Sequence, residues 1–215
     1  MAFVIEEEID QTSSVYEAFY NKYYPGWSEE FEKYKKEMKN VSDIVGRVEK
    51  RTKGYLPEKD ELFSFLEQTP LHTVKVVIWT DEPYTISRNY VNIYKELKNQ
   101  FPDFIKPDSN QFKTVCDQGV LFIPSSLCYS KEDWKAYQNI WFRFTNIIVE
   151  ILNTKVKNCI HLMWGKNCQK LIDSIKSREI FTAEDPRDFR FYGNNHFIKT
   201  NITLKRQGKE PIMWF

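Results

Sequence analysis

Short apolar runs alternate with longer amphipathic stretches along the chain. Val74, Val76, Val77 and Ile78 form the first run, residues 119–123 the second and residues 159–164 the third, while Ile180 and Phe181 mark a brief fourth. Such β-branched, uninterrupted runs suit strands buried on both faces of a parallel sheet. Between them the apolar positions fall at helical spacing. Ser28 can cap a helix through Phe31, Tyr34 and Met38, with Val41, Ile44, Val45 and Val48 prolonging the stripe until Gly54; Pro57 opens another, closed by Thr69-Pro70. Ser87 opens a helix bearing Tyr90, Val91, Ile93, Tyr94 and Leu97, a short helix is expected over 109–117, and a long one over 131–153. Two more are expected over 167–176 and 195–207. Strands 74–79, 119–123, 159–164 and 179–182, separated by helices long enough for parallel crossovers, predict an α/β fold: a three-layer α/β/α domain with a four-stranded parallel sheet. The expected organisation is an N-terminal extension over 1–26 and a single domain over 27–215.

Composition narrows the class. A chain of 215 residues, 41% hydrophobic and 16% aromatic, can bury one ring-rich core, and it has no apolar stretch of membrane-spanning length. Neither a basic start nor a signal-length apolar run opens the chain, so an intracellular location is expected, in nucleus or cytoplasm, with a viral origin left open. Cys116, Cys128, Cys159 and Cys168 contain no Cys-x-x-Cys pair, which predicts reduced thiols and no metal. Net charge is only +1, but residues 155–215 hold 12 Lys and Arg against 6 Asp and Glu. Any phosphate binding must therefore be local.

Candidate chemistry gathers where the first strand ends, at Thr80-Asp81-Glu82-Pro83-Tyr84. Ligands of open α/β sheets bind beyond the carboxyl ends of the strands. Adjacent carboxylates there are consistent with a site, and equally with an acidic turn closing a core strand.

Four segments, taken in order, resemble the main family of uracil-DNA glycosylases. They are residues 74–84, Gln118-Gly119-Val120-Leu121-Phe122-Ile123, Leu162-Met163-Trp164-Gly165, and the ending Phe191-Tyr192-Gly193-Asn194-Asn195-His196-Phe197 through Lys199-Thr200-Asn201 to Gly208-Lys209-Glu210-Pro211-Ile212-Met213-Trp214. The resemblance covers residues 27–215 and is most specific at its C-terminal end. It implies a four-stranded parallel sheet between helices, and an enzyme that flips uracil out of DNA and cleaves its bond to deoxyribose without metal or other cofactor.

The chain departs from the family pattern at the positions that matter for chemistry. Where the family reads Gly-Gln-Asp-Pro-Tyr-His, this chain reads Thr80-Asp81-Glu82-Pro83-Tyr84-Thr85, so the catalytic aspartate becomes Glu82 and the glutamine becomes Asp81. Tyr84 is kept where the family excludes thymine's methyl group. The segment that stacks on the flipped base is missing, leaving Ser87 as the one residue for the phosphate-facing turn. The asparagine that reads uracil falls at Pro124, which has no side-chain donor or acceptor. The family's His-Pro-Ser-Pro-Leu becomes Ala183-Glu184-Asp185-Pro186-Arg187-Asp188-Phe189-Arg190, which puts Glu184 or Asp185 in the histidine's place and offers no leucine wedge. Lys166, after Gly165, is a candidate phosphate contact, and His196 matches a family histidine of structural rather than catalytic character.

These departures predict a glycosylase fold that has lost base-excision chemistry and serves as a DNA-binding or protein-scaffolding component of a replication, repair or nucleoprotein assembly. The alternatives are an active, divergent glycosylase with Glu82 as the water-activating carboxylate, and a protein-only interaction module. The expected partner is DNA, held weakly and without sequence preference by Ser87, Lys166, Arg187 and Arg190, or else a protein of a nucleoprotein or replication complex. The acidic residues Asp81, Glu82, Glu184, Asp185 and Asp188 are expected to converge on the old pocket and oppose a phosphate backbone.

Overall fold

A computed structural model describes residues 14–52, 54–81, 87–106, 112–130, 133 and 135–214, with backbone alone at 87–90 and 112. Four strands, β1 (Val76–Thr80), β2 (Val120–Pro124), β3 (Ile160–Trp164) and β4 (Glu179–Ala183), pair in parallel in the order β2-β1-β3-β4. Val76 lies opposite Val120 on one side and Ile160 on the other, and Ile160 lies opposite Glu179. The helices are α1 (Val15–Tyr20), α2 (Trp27–Phe31), α3 (Lys35–Thr52), α4 (Ser64–Gln68), α5 (Ser87–Gln100), α6 (Phe112–Cys116), α7 (Gln138–Lys155) and α8 (His196–Arg206).

Because side chains alternate across a strand, each run feeds two cores. Val77, Trp79, Leu121, Ile123 and Met163 pack with α1–α4 and α7. Val76, Ile78, Val120, Phe122, Ile160, Leu162 and Trp164 pack with α5, α6 and α8. That is the expected three-layer arrangement. The first core is aromatic: Phe19 of α1 sits 4.8 Å from both Phe31 and Phe63 and 5.0 Å from Tyr24, ring centre to ring centre. A capping box starts α1, with Ser14 Oγ accepting from Glu17 N and Glu17 Oε2 accepting from Ser14 N.

Three expected helices differ, and the one expected from Pro57 is a 3-10 turn at Lys59–Glu61 followed by the short α4. The helix expected from residue 131 starts at Gln138, because Asp133 Oδ1 accepts from Lys135 N at 3.1 Å and Asp133 O from Ala136 N at 3.1 Å, which makes a turn there; α7 then continues to Lys155. The helix expected over 167–176 is a run of 3-10 turns, Cys168–Ser174. Tertiary partners fix both its ends, since Asp81 takes the Asn167 and Cys168 amides and Asn153 bonds Ser174 O and Lys176 N. Among the described residues no helix is long and apolar enough to cross a membrane.

Candidate active site

The chain leaves β1 outward to β2, then returns past β1 to β3 and β4. This reversal falls at the carboxyl ends of β1 and β3, the place where open α/β sheets bind ligands. Asp81, the residue after β1, is 7% exposed and stands at that end of the sheet. Its Oδ1 accepts from Asn167 N and Cys168 N, each at 2.9 Å, so one carboxylate ties the end of β1 to the loop after β3. Gly165, at φ +123°, makes room for it: a Cβ there would lie 2.4 Å from Asp81 Cγ. Burial pushes the Asp81 carboxyl up, the two amides pull against that, and Asp185 nearby adds a further upward push. From the β2 side, Ser125 N donates to Thr80 O at 2.6 Å and Ser125 Oγ to Asp81 O at 3.2 Å. The carbonyl and the carboxylate of Asp81 are thus both held.

The loop after β4 is a pair of consecutive Asp-x-Arg units, Asp185-Pro186-Arg187 and Asp188-Phe189-Arg190. In each, the aspartate accepts from the arginine's own backbone amide, at 2.8 and 2.9 Å, and takes the guanidinium on both oxygens. Arg190 reaches Glu184 as well, Nη1 to Oε1 at 3.3 Å. The Arg190 guanidinium holds the Asp188 carboxyl down at about 2. Asn92 Nδ2 donates to Pro186 O at 2.6 Å, anchoring the loop to α5. So stapled, the loop presents Phe189, 82% exposed, between two arginines. Farther along, Glu96 of α5 is fully buried and accepts from Gly193 N, Asn195 N and Gln100 Nε2 at 2.6 to 2.9 Å.

No family model matches the whole chain or part of it. Curated relatives do. The uracil-DNA glycosylase of Buchnera aphidicola is 31% identical over 222 residues, covering 91% of this chain and 97% of its own length. The chain belongs to the uracil-DNA glycosylase family. The enzyme of that name from Aliivibrio fischeri is 29% identical over 209 residues, covering 85% of this chain and 92% of that one. The crystal structure of mimivirus uracil-DNA glycosylase superposes with a TM-score of 0.76 at 22% identity, covering 89% of this chain and 87% of that one, which supports the fold.

Membership corrects the expectation of lost chemistry. Relatives called uracil-DNA glycosylase, matching most of the chain at 28 to 31% identity, favour the active, divergent enzyme over a scaffold. That expectation weighed side-chain identities alone and took no account of how that end of the sheet is built. Of the residues singled out, Asp81 follows β1, Lys166 follows β3, and Glu184, Asp185, Arg187, Asp188 and Arg190 follow β4, all at the carboxyl end of the sheet. Lys166 is exposed and close enough to Asp188 to help lower its pKa. Within the last loop Asp185 pairs with Arg187, and Glu184 and Asp188 pair with Arg190, so these carboxylates are not bare charge. Pro124 is buried at the end of β2 beside Thr80. Ser87 opens the backbone of α5, and Glu82 and Tyr84 lie outside the described residues. The two buried histidines are structural: His161 Nδ1 accepts from Trp79 Nε1 at 3.1 Å and His196 Nδ1 from Trp164 Nε1 at 2.9 Å, and burial lowers each pKa to about 4. Sequence reasoning missed Phe189 and Glu96. The doubled Asp-x-Arg pattern was the signal for the first; a carboxylate between Ile93 and Gln100 on the apolar stripe was the signal for the second.

Proposed function

We propose that this chain is an active DNA glycosylase that hydrolyses the bond between uracil and deoxyribose in DNA, with Glu82 as the carboxylate that activates water. The observation that carries this reading is the Asp81 clamp at the reversal of strand order. It fixes the residue directly before Glu82 against the loops after β2 and β3, and a reacting carboxylate must be held to within about 1 Å to keep its rate. In the reaction the C1′–N1 bond breaks and its electron pair leaves on uracil N1. Water oxygen bonds to C1′, one water proton passes to the Glu82 carboxylate, and the uracil anion is then protonated from solvent. Glu82 also offsets the positive charge that builds on the sugar.

The leaving anion meets no histidine here. Glu184, at the start of the last loop, is offset by Arg190, so the loop presents paired charge instead of a bare carboxylate. Phe189 supplies the apolar wedge that the missing leucine does not: an exposed ring on a stapled tip can enter the base stack, and unstacking is what base extrusion costs. Lys166, Arg187 and Arg190 contact the backbone around it. With Pro124 in place of a reading amide, the pocket selects its base by shape, and its preference for uracil over other deaminated bases is narrow.

The deciding experiment measures base release from single- and double-stranded oligonucleotides containing uracil, hypoxanthine or xanthine. Uracil release that falls at least about 100-fold in Glu82→Gln, with an unchanged unfolding midpoint, supports the reading. A folded protein that releases none of the three bases refutes it.

A further inference from the structure

At the amino end of the sheet, opposite the candidate active site, a cavity of about 530 Å³ opens where α7 ends and β3 and β4 begin. Leu152 and Val156 give it an apolar wall, and Lys157, Lys176 and Arg178 stand around it. Among the described residues none of these three cations has a carboxylate within ion-pair distance. The one acid in the lining, Glu179, is already committed, with Arg206 Nη2 at 2.6 Å from its Oε1. More positive charge is packed behind. Lys209 Nζ donates to Lys157 O and Asn158 O at 3.2 Å, and the Lys75 pKa is pushed down by burial and then by Lys209, with Glu210 pulling it back up. Gln207 Oε1, in the cavity wall, is enclosed without a hydrogen-bond partner among the described residues, and turning it toward a ligand N–H or O–H would supply the missing bond.

Cations gathered without counterions around a concave, partly apolar space are what an anion with an organic body requires. The cavity is large enough for a base and sugar along Leu152 and Val156 with phosphate at Lys157, Lys176 and Arg178. We infer that this cavity binds a phosphorylated small molecule of nucleotide size, at a site separate from the candidate active site. Its occupancy needs no DNA, and the inference does not depend on the glycosylase reading.

Titration calorimetry of the full chain with ADP, inorganic pyrophosphate and adenosine tests this at low and physiological salt. ADP and pyrophosphate should bind, adenosine should not, and the double variant K176E/R178E should weaken ADP at least about 10-fold, since each charged hydrogen bond is worth a factor of that order. Lys157→Gln gives a second, milder variant with the same direction. Both should keep the wild-type unfolding midpoint and uracil release, because the substituted side chains are exposed and lie at the far end of the sheet. No binding of ADP or pyrophosphate at low salt, equal binding by K176E/R178E, or adenosine binding as tightly as ADP each overturns the inference. So does an oligonucleotide that loses affinity in K176E/R178E while ADP fails to bind, which would assign the cations to a nucleic-acid strand.

Discussion

Gly165 stands against Asp81 so closely that the smallest side chain would put a carbon 2.4 Å from the Asp81 carboxyl carbon. The carboxylate cannot step aside without giving up the Asn167 and Cys168 amides, and the backbone at φ +123° is one that L-residues avoid. Gly165→Ala is therefore expected to destabilise the fold by roughly 2–4 kcal/mol and to depress base release along with it. Urea denaturation followed by an excision assay on the folded fraction checks this; an unchanged midpoint would show that the clamp is softer than its geometry.

Asp81 itself separates structure from charge. Asp81→Asn keeps an oxygen for the two amides and removes a buried charge, so stability should change by less than about 1 kcal/mol, whereas Asp81→Ala strands the buried Cys168 amide at about 1–3 kcal/mol and the half-buried Asn167 amide at less. If the residue positions Glu82, the asparagine variant retains most of its release rate and the alanine variant loses it mainly in kcat. Equal losses in both variants would mean that the carboxylate charge acts directly.

Phe189 should matter for duplex more than for single strands. Phe189→Ala is expected to slow uracil release from duplex at least about 10-fold while sparing single-stranded substrate, and Phe189→Leu to restore most of it, because extruding a paired base costs a few kcal/mol that an unpaired base does not. A uniform loss across both substrates would leave Phe189 a general contact and no wedge.

Each loop arginine is shared between a carboxylate and any bound phosphate. Asp188→Asn releases Arg190 from its closest partner, at 2.6 Å, and adds one unit of positive charge to the loop after β4. Binding to duplex should tighten, and the slope of log affinity against log salt should steepen by about one unit, since one more phosphate is neutralised. With the Asp188 carboxyl held at about 2, the wild-type pair persists across neutral and mildly acid pH, and affinity should show no titration from it there.

The buried histidines make folding acid-sensitive. His161 and His196 titrate at about 4 in the native state against about 6.5 in an unfolded chain, so unfolding takes up protons between those values. Their contribution is full above pH 6.5 and is lost as pH falls toward 4, roughly 3 kcal/mol for each histidine. Urea midpoints at pH 7.0 and 4.5 should show the drop, and His196→Gln should show a smaller one. The buried Asp81 carboxyl gains stability on protonation, the opposite sign, so the comparison with the variant isolates the histidine.

The fold could be read from the chain because its signals are local. Val76, Val77 and Ile78, or Ile160 and Leu162, are apolar on successive positions, and only a strand covered on both faces satisfies that pattern; the helical stripes between them then dictate parallel crossovers. The place of Asp81 was legible for the same reason, since it ends a strand whichever partners it finds. What the sequence could not settle was what its polar residues meet. Asp81 and the amides of Asn167 and Cys168 are 86 and 87 positions apart, and backbone donors carry no signature in side-chain identity. Read one residue at a time, Glu184, Asp185 and Asp188 look like repulsive charge, and only the folded loop pairs them with Arg187 and Arg190. The expectation of lost chemistry came from that residue-by-residue view. The basic cavity, likewise, draws on the end of α7, the starts of β3 and β4 and the end of α8, segments that sequence keeps apart and that tertiary packing alone brings around one space.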